Sequence, residues 1–172
     1  MKSEAYPFFK PEARQDDWVT PHDFYRKCLE RWPFTLDAAA GPTNFKCPRY
    51  YTEDDNGLVL PWETWTWCNP PYSDILPWFQ KAHTEALKGR SSVLLTFSRT
   101  DTRAFHRYAT KAAEVVFLQG RIAFLHPDTG EAQDPAPSPS MLVVFDAKDL
   151  GAFRATTMSA KVEPTLELFP EG

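Results

Sequence analysis

The chain has 172 residues and 19.7 kDa, enough for one domain of ordinary size and too few for two. Its 42% apolar and 24% charged residues allow a real core and exclude disorder over most of the length. The net charge of −4 excludes a polycation that coats nucleic acid wholesale, while a local basic face stays open. Cys28, Cys47 and Cys68 form no C-x-x-C and the four histidines are scattered, so no metal site and no disulfide framework is expected. A reducing cytoplasm is the compartment that follows. The first residues lack the apolar stretch of a signal peptide and no run approaches a membrane span, so no membrane partner is expected either.

Residues 1–17 read as an irregular arm. Thr20-Pro21-His22-Asp23 has the signature of a helix start, with Thr20 as N-cap and Pro21 in the first turn. Phe24, Cys28, Leu29 and Trp32 then share one helical face, and Pro33 ends the helix. Phe34-Thr-Leu-Asp37 begins as a short strand and passes through Ala38, Ala39 and Ala40 into a loop at Gly41-Pro42. Residues 43–64 read as loop, with 50–52 extended and Asn56-Gly57 as a turn. Thr64-Trp-Thr-Trp-Cys68 alternates like a strand and runs straight into Asn69-Pro70-Pro71-Tyr72.

From Asp74 to Lys88 the apolar positions have helical spacing, and Pro77 suits only the first turn. Ser92–Phe97 is a continuous apolar run of the kind found in buried parallel strands. A helix from about Thr100 to Ala113 follows, then strands over Glu114–Leu118, Gly120–Leu125 and Met141–Phe145. The last two are separated by the polar, proline-rich loop 126–140, and loops of that length in a compact domain are functional or disordered. From 151 onward the chain reads as a weakly patterned tail. Strands alternating with helices argue one α/β domain over 18–150, its sheet mainly parallel with an antiparallel end. In such sheets ligands bind at the carboxyl ends of strands near the topological switch point, where the Asp37 loop and the Asn69 turn both fall.

Asn69-Pro70-Pro71-Tyr72 carries the chemistry. Two consecutive prolines stiffen the backbone and lack N–H donors, so the nearby carbonyls have no ladder partners. An Asn side chain beside such a carbonyl offers two acceptors, and a planar amino group has two hydrogens to fill them. Converging bonds favour a pyramidal amine and expose its lone pair to an electrophilic methyl group. Tyr72 offers a flat face on which an extruded base can stack. A Pro-Pro-Tyr peptide ligand is the bland alternative, but the usual spacing needs a residue between Pro71 and Tyr72.

Trp18-Val-Thr-Pro21, Phe34-Thr-Leu-Asp37-Ala-Ala-Ala40, Tyr51-Thr52 with Gly57-Leu58, Trp67-Cys-Asn-Pro-Pro-Tyr72, Arg99-Thr-Asp-Thr102 and Gly120-Arg121 with Phe124 follow one another over roughly 17–146. In this order and spacing the chain resembles the phage-encoded Dam-type DNA N-6-adenine methyltransferases. The resemblance implies a compact Rossmann-like class I methyltransferase sheet, S-adenosylmethionine as methyl donor, and double-stranded DNA with a flipped adenine as substrate. It also implies protection of phage DNA from restriction, with GATC as the default word. It assigns Thr20 and Pro21 to an N-terminal cofactor-contacting motif, and Asp37, Ala38, Ala39 and Gly41 to the first cofactor motif, here without a G-x-G. A helix cap and a loop-capping carboxylate are the plain alternatives for Thr20 and Asp37. A ribose-binding acid is expected about 20 residues beyond the first loop, where Glu53, Asp54 and Asp55 lie, although an acidic turn explains them equally. Only 24 residues, 41–64, separate the Asp37 strand from the Asn69 strand, so the sheet should be truncated on the cofactor side.

The tetrapeptide suits any planar amine, so an RNA base, cytosine N-4 or a protein glutamine are alternative substrates. A catalytically silent DNA-binding or anti-restriction protein is the alternative from another class. Arg99, Arg103, Arg107 and Lys111 recur every four residues and would form one slanted stripe on the expected helix. With Arg121 they give residues 99–125 five basic groups against Asp101 and Glu114. The stripe is expected to meet DNA phosphates while Arg121 and the 126–140 loop approach the target word; a solvated helix face is the alternative.

Overall fold

The computed structural model describes residues 18–162. Helix α1 (His22–Leu29) leads to strands β1 (Leu36–Asp37), β2 (Arg49–Tyr50) and β3 (Trp65–Cys68). Helix α2 (Leu76–Leu87), strand β4 (Ser91–Phe97) and the short helix α3 (Arg103–Arg107) follow, with a 3-10 turn at Ala109–Lys111. Strands β5 (Glu114–Gln119), β6 (Ser140–Phe145) and β7 (Arg154–Ser159) complete the described elements. They form one sheet in the order β2-β1-β3-β4-β6-β5-β7. β2, β1, β3 and β4 run parallel, β6 pairs antiparallel with both β4 and β5, and β7 runs parallel to β5. This is the mainly parallel, Rossmann-like α/β sheet expected. Its reversed strand lies inside the sheet, however, between β4 and β5. β1 and β2 are two residues each, the truncation that the short 41–64 connection demands.

The core follows from β4, whose seven residues are all buried. Val93, Leu95 and Phe97 face the layer holding α1, and Leu94 faces the layer holding α2 and α3. A strand covered on both faces has no polar side, which is why this one is continuously apolar. Each such burial stabilises by about 1.5–3 kcal/mol. α2 begins at Leu76 with Pro77 in the first turn, as expected, and Gly89 leaves it at φ +86, a left-handed geometry suited to glycine.

Several local expectations differ from the structure. Thr20 does not cap α1: Pro21 occupies the cap position with no side-chain hydrogen bond, and the Thr20 side chain is buried instead. The helix expected over 100–113 lasts only from 103 to 107. Thr102 Oγ1 caps it by accepting from Phe105 N at 3.3 Å. Tyr108 then leaves helical geometry at φ −126, and Tyr108, Ala109 and Ala112 bury against the sheet. Residues 120–125 form no named strand. Ile122 and Phe124 are core residues whose carbonyls accept from Ala136 and Gln133 of the long loop, so that loop folds back on them. The tail expected from 151 contributes β7, an exposed edge strand with no apolar alternation to announce it. The arm expected over 1–17 and residues 163–172 lie outside the described residues.

β7 is clamped by charge. The Arg31 guanidinium donates to both Glu114 carboxylate oxygens, at 3.1 and 3.0 Å, and Thr156 Oγ1 donates to the same carboxylate. Lys27 Nζ donates to the Ser159 and Lys161 carbonyls. The Glu114 side chain is only 10% exposed, so its bonds to the exposed Arg31 and Thr156 are less screened than those of a surface pair. Glu114→Ala should cost about 2 kcal/mol, whereas Arg154→Ala, which breaks a well-exposed pair with Asp149, should cost under about 0.5 kcal/mol. Urea unfolding of the two variants checks this; equal losses would show that the clamp is worth no more than a surface pair.

Candidate functional site

The chain leaves β1 for β2 on one side and later returns as β3 on the other, which makes the β1/β3 boundary the topological switch point. Asp37 ends β1 and Asn69 directly follows β3. Both line a cleft of about 140 Å³, together with Thr20, Ala39, Gly41 and Lys46, while Trp18 and Pro127 contribute from distant parts of the sequence. Of the residues expected to hold a cofactor, the structure thus brings together Thr20, Asp37, Ala39 and Gly41. Pro21 caps α1, and Ala38 packs into the α2 layer. Asp54 and Asp55 sit on an exposed turn and do not line the cleft. Asp55 Oδ2 is taken by Thr52, from its backbone N at 2.8 Å and its hydroxyl at 2.9 Å, which holds that carboxyl below its usual range.

The loop after β1 is fixed from all sides. Ala38 N donates to Trp67 O, Tyr51 N to Asp37 O and Ala40 N to Tyr51 O. Gly57 lies against it so closely that a Cβ there would stand 2.0 Å from the Ala38 carbonyl oxygen, so only glycine fits. The Asp37 carboxylate accepts from Ala39 N at 3.3 Å and from Lys46 N at 3.0 Å. It is 3% exposed, and burial pushes its pKa up to about 6 against the opposing pull of those two bonds and the Lys46 charge. Two polar atoms of the cleft, Thr20 Oγ1 and Lys46 Nζ, are buried with no hydrogen-bond partner. Native interiors rarely leave such groups unmet, so each is open to a water or a ligand atom. Lys46 was not foreseen from the sequence; a lone lysine between Phe45 and Cys47, nine positions after Asp37, was the available signal.

Asn69 is already engaged. Its Nδ2 donates to the Trp18 carbonyl, and its Oδ1 accepts from Tyr72 Oη at 2.7 Å. The Tyr72 ring is buried against Phe97, with centroids 4.5 Å apart, and Phe124 at 6.4 Å. It therefore does not present the open stacking face anticipated for it. Burial holds its hydroxyl well above the usual phenol range, so it remains a donor. Pro70 is buried and Pro71 exposed. Burial also pushes the thiols up, Cys28 to about 12 and Cys47 to about 11, with Cys68 well above its ordinary value, so no thiolate nucleophile is offered.

Beyond Tyr72 a second cavity of about 340 Å³ opens between the starts of α2 and α3, with Arg99 and Arg103 in its wall. Arg107 and Lys111 are exposed but do not line it, and the break at Tyr108 separates Lys111 from the helix that carries Arg103 and Arg107. Arg121 donates to the Ala136 carbonyl at 2.8 Å and so pins the 126–140 loop. No group of three or more His, Cys, Asp or Glu among the described residues is placed to hold a metal. None of their helices is long and apolar enough to cross a membrane.

The sequence matches the family model of DNA N-6-adenine-methyltransferase (Dam) over residues 9–164. It is 32% identical over 142 residues to the DNA N-6-adenine-methyltransferase of Haemophilus phage HP1 (strain HP1c1), covering 80% of this chain and 82% of that protein. It is 28% identical over 156 residues to the DNA N-6-adenine-methyltransferase of Escherichia phage T1, covering 78% of this chain and 64% of that one.

The buried Asp37 carboxyl gives a stability signature independent of any ligand. A folded-state pKa of about 6 against 3.8 means the folded form binds the proton more tightly. The resulting stabilisation is complete below the unfolded value and lost as pH rises through 6. Wild type should therefore lose about 1.4 kcal/mol relative to Asp37→Asn between pH 5 and pH 7.5. Paired urea titrations at the two pH values measure it, and a constant difference would contradict the assignment.

Proposed function

Because the chain belongs to the DNA N-6-adenine-methyltransferase (Dam) family, we propose that it moves a methyl group from S-adenosylmethionine to the exocyclic N-6 amine of an adenine flipped out of duplex DNA, within a short word. The observation that carries this reading is the meeting of Asn69 and Asp37 in one cleft at the switch point of the sheet.

The residues fit a methyl donor. Thr20 Oγ1 is a buried hydroxyl without a partner, Asp37 is a buried carboxylate with lone pairs to spare, and Ala39 and Gly41 let a ligand approach the backbone. S-adenosylmethionine bound there supplies a methyl group on a positively charged sulfur. Asn69 Oδ1 keeps a second lone pair beside the one Tyr72 fills, and this accepts one hydrogen of the amine. A carbonyl of the Pro70-Pro71 turn accepts the other. Held in this way, the nitrogen would direct its own lone pair at the donor's methyl carbon, and the proton it must lose after transfer would pass to water. Amine orientation, rather than a strong base, supplies the acceleration.

Arg99 and Arg103, beside Tyr72, meet the phosphates flanking the flipped nucleotide, with Arg107 and Lys111 extending the track more weakly. Arg121 shapes the 126–140 loop that approaches the bases. The setting is the host cytoplasm, where methylated phage DNA would escape cleavage by enzymes that need the unmodified word. Transfer of labelled methyl to duplex DNA, RNA and a glutamine peptide, followed by modification mapping of plasmid from expressing cells, tests the reading. Adenine label in a fixed DNA word supports it, and label confined to RNA or peptide overturns it.

Asn69→Ala should lower kcat ~100-fold or more while S-adenosylhomocysteine binds as before. Tyr72→Phe should keep most of the activity, since the Trp18 bond still orients Asn69. Single-turnover rates and calorimetry on the same preparations decide both. For DNA binding, Arg99→Ala with Arg103→Ala should flatten the log–log salt dependence by about one unit per lost contact, and Lys111→Ala by less. Equal slopes in all three proteins would move the DNA track elsewhere.

A further inference from the structure

Lys46 is the least satisfied charge of the described chain. Its backbone N–H serves the Asp37 carboxylate at 3.0 Å, yet its ammonium is buried in the cleft wall with no acceptor. Burying an ammonium without an acceptor costs stability, so such a group persists where a ligand supplies the missing anion. Asp37 attracts it electrostatically but forms no ion pair with it. His22 lies within reach of the same charge, which is the main cause holding its pKa down. One small cleft thus holds an anion-seeking ammonium, a cation-seeking carboxylate and the unpartnered hydroxyl of Thr20. A ligand group bearing only negative charge would be repelled by Asp37, and one bearing only positive charge by Lys46. The complement of the set is a zwitterion of amino-acid size, in keeping with a cleft of about 140 Å³.

We propose that Lys46 holds the α-carboxylate of the methyl donor's amino-acid end, Thr20 Oγ1 donating to the same group, while Asp37 takes the α-ammonium. The inference deepens the function proposed above and rests on it. It makes Lys46 a specificity determinant: the zwitterion is read by two unpaired charges of the cleft, and a donor lacking its carboxylate loses one of them.

The test compares two probes on the full chain by calorimetry: S-adenosylhomocysteine, and 5′-methylthioadenosine, which lacks the amino-acid end. Lys46→Met should weaken the first roughly ten- to a hundredfold, the worth of a charged hydrogen bond. It should leave the second unchanged. The ligand-free melting temperature of Lys46→Met should equal or exceed that of wild type, because an unpaired buried ammonium is removed. Lys46→Gln provides the same comparison should the methionine variant fail to fold. Unchanged S-adenosylhomocysteine affinity, or an equal loss for both probes, overturns the role of Lys46 while leaving the proposed function standing. Wild type that binds neither probe overturns the proposed function and this inference together.

Discussion

Asp37 is a carboxylate 3% exposed to solvent, held by the backbone N–H groups of Ala39 and Lys46. Those two bonds turn the chain around the carboxylate and set the shape of the loop from Ala38 to Lys46. Neighbouring strands then fix that loop through Trp67 and Tyr51. A carboxylate has about four lone-pair positions, and two remain for the cleft. Burial raises its pKa to about 6, which is a standing loss of stability at neutral pH. The carboxylate thus holds the loop, and on the proposed reading its two open lone-pair positions would meet the ligand.

The stability that offsets this loss lies across the sheet. β1 and β2 have only two residues each, whereas β4, β5 and β6 have six or seven and supply most of the buried aliphatic surface. Two buried carboxylates reinforce that half. Glu85, 1% exposed, receives Lys81 at 2.9 Å and Arg90 at 2.7 Å and ties the end of α2 to the start of β4. Glu114 ties the segment after α1 to β5 and β7. Both are ion-paired, unlike Asp37 and Lys46. The division is physical: Glu85 and Glu114 are ion-paired within the fold, whereas in the cleft Asp37 has backbone partners only and the Lys46 ammonium has none.

The parts of this arrangement legible in the sequence were those carried by local chemistry. Two prolines after Asn69 announce a stiff turn at a strand end, and a continuous apolar run announces β4. Legibility failed where tertiary contacts decided. Gly120–Leu125 has strand-like composition, but Ile122 and Phe124 reach the core from a loop whose backbone pairs with residues 133–136. The helix after Thr102 stops early because burying Tyr108, Ala109 and Ala112 outweighs further helical bonds. β7 carries its information in an edge pairing that leaves no mark on hydropathy. Lys46 was invisible for a related reason: a lysine in a loop reads as solvated, and only the folded chain shows its ammonium enclosed.

The amide of Asn69 is oriented by the fold itself. The Trp18 carbonyl accepts only, so the Asn69 amide must present its NH2 there; the reverse orientation would set two oxygens against each other. Oδ1 is thereby directed toward Tyr72, whose buried hydroxyl stays protonated and donates to it at 2.7 Å. With its ring packed against Phe97 and Phe124, Tyr72 is not free to swing aside. On the proposed reading, an arriving amine would meet an oxygen of fixed position with one lone pair open, made a better acceptor by the bond the amide NH2 donates to Trp18. Fixing the acceptor in advance removes the reorganisation that water would need at the moment of transfer, and that is where an enzyme without a nucleophile or strong base gains its rate.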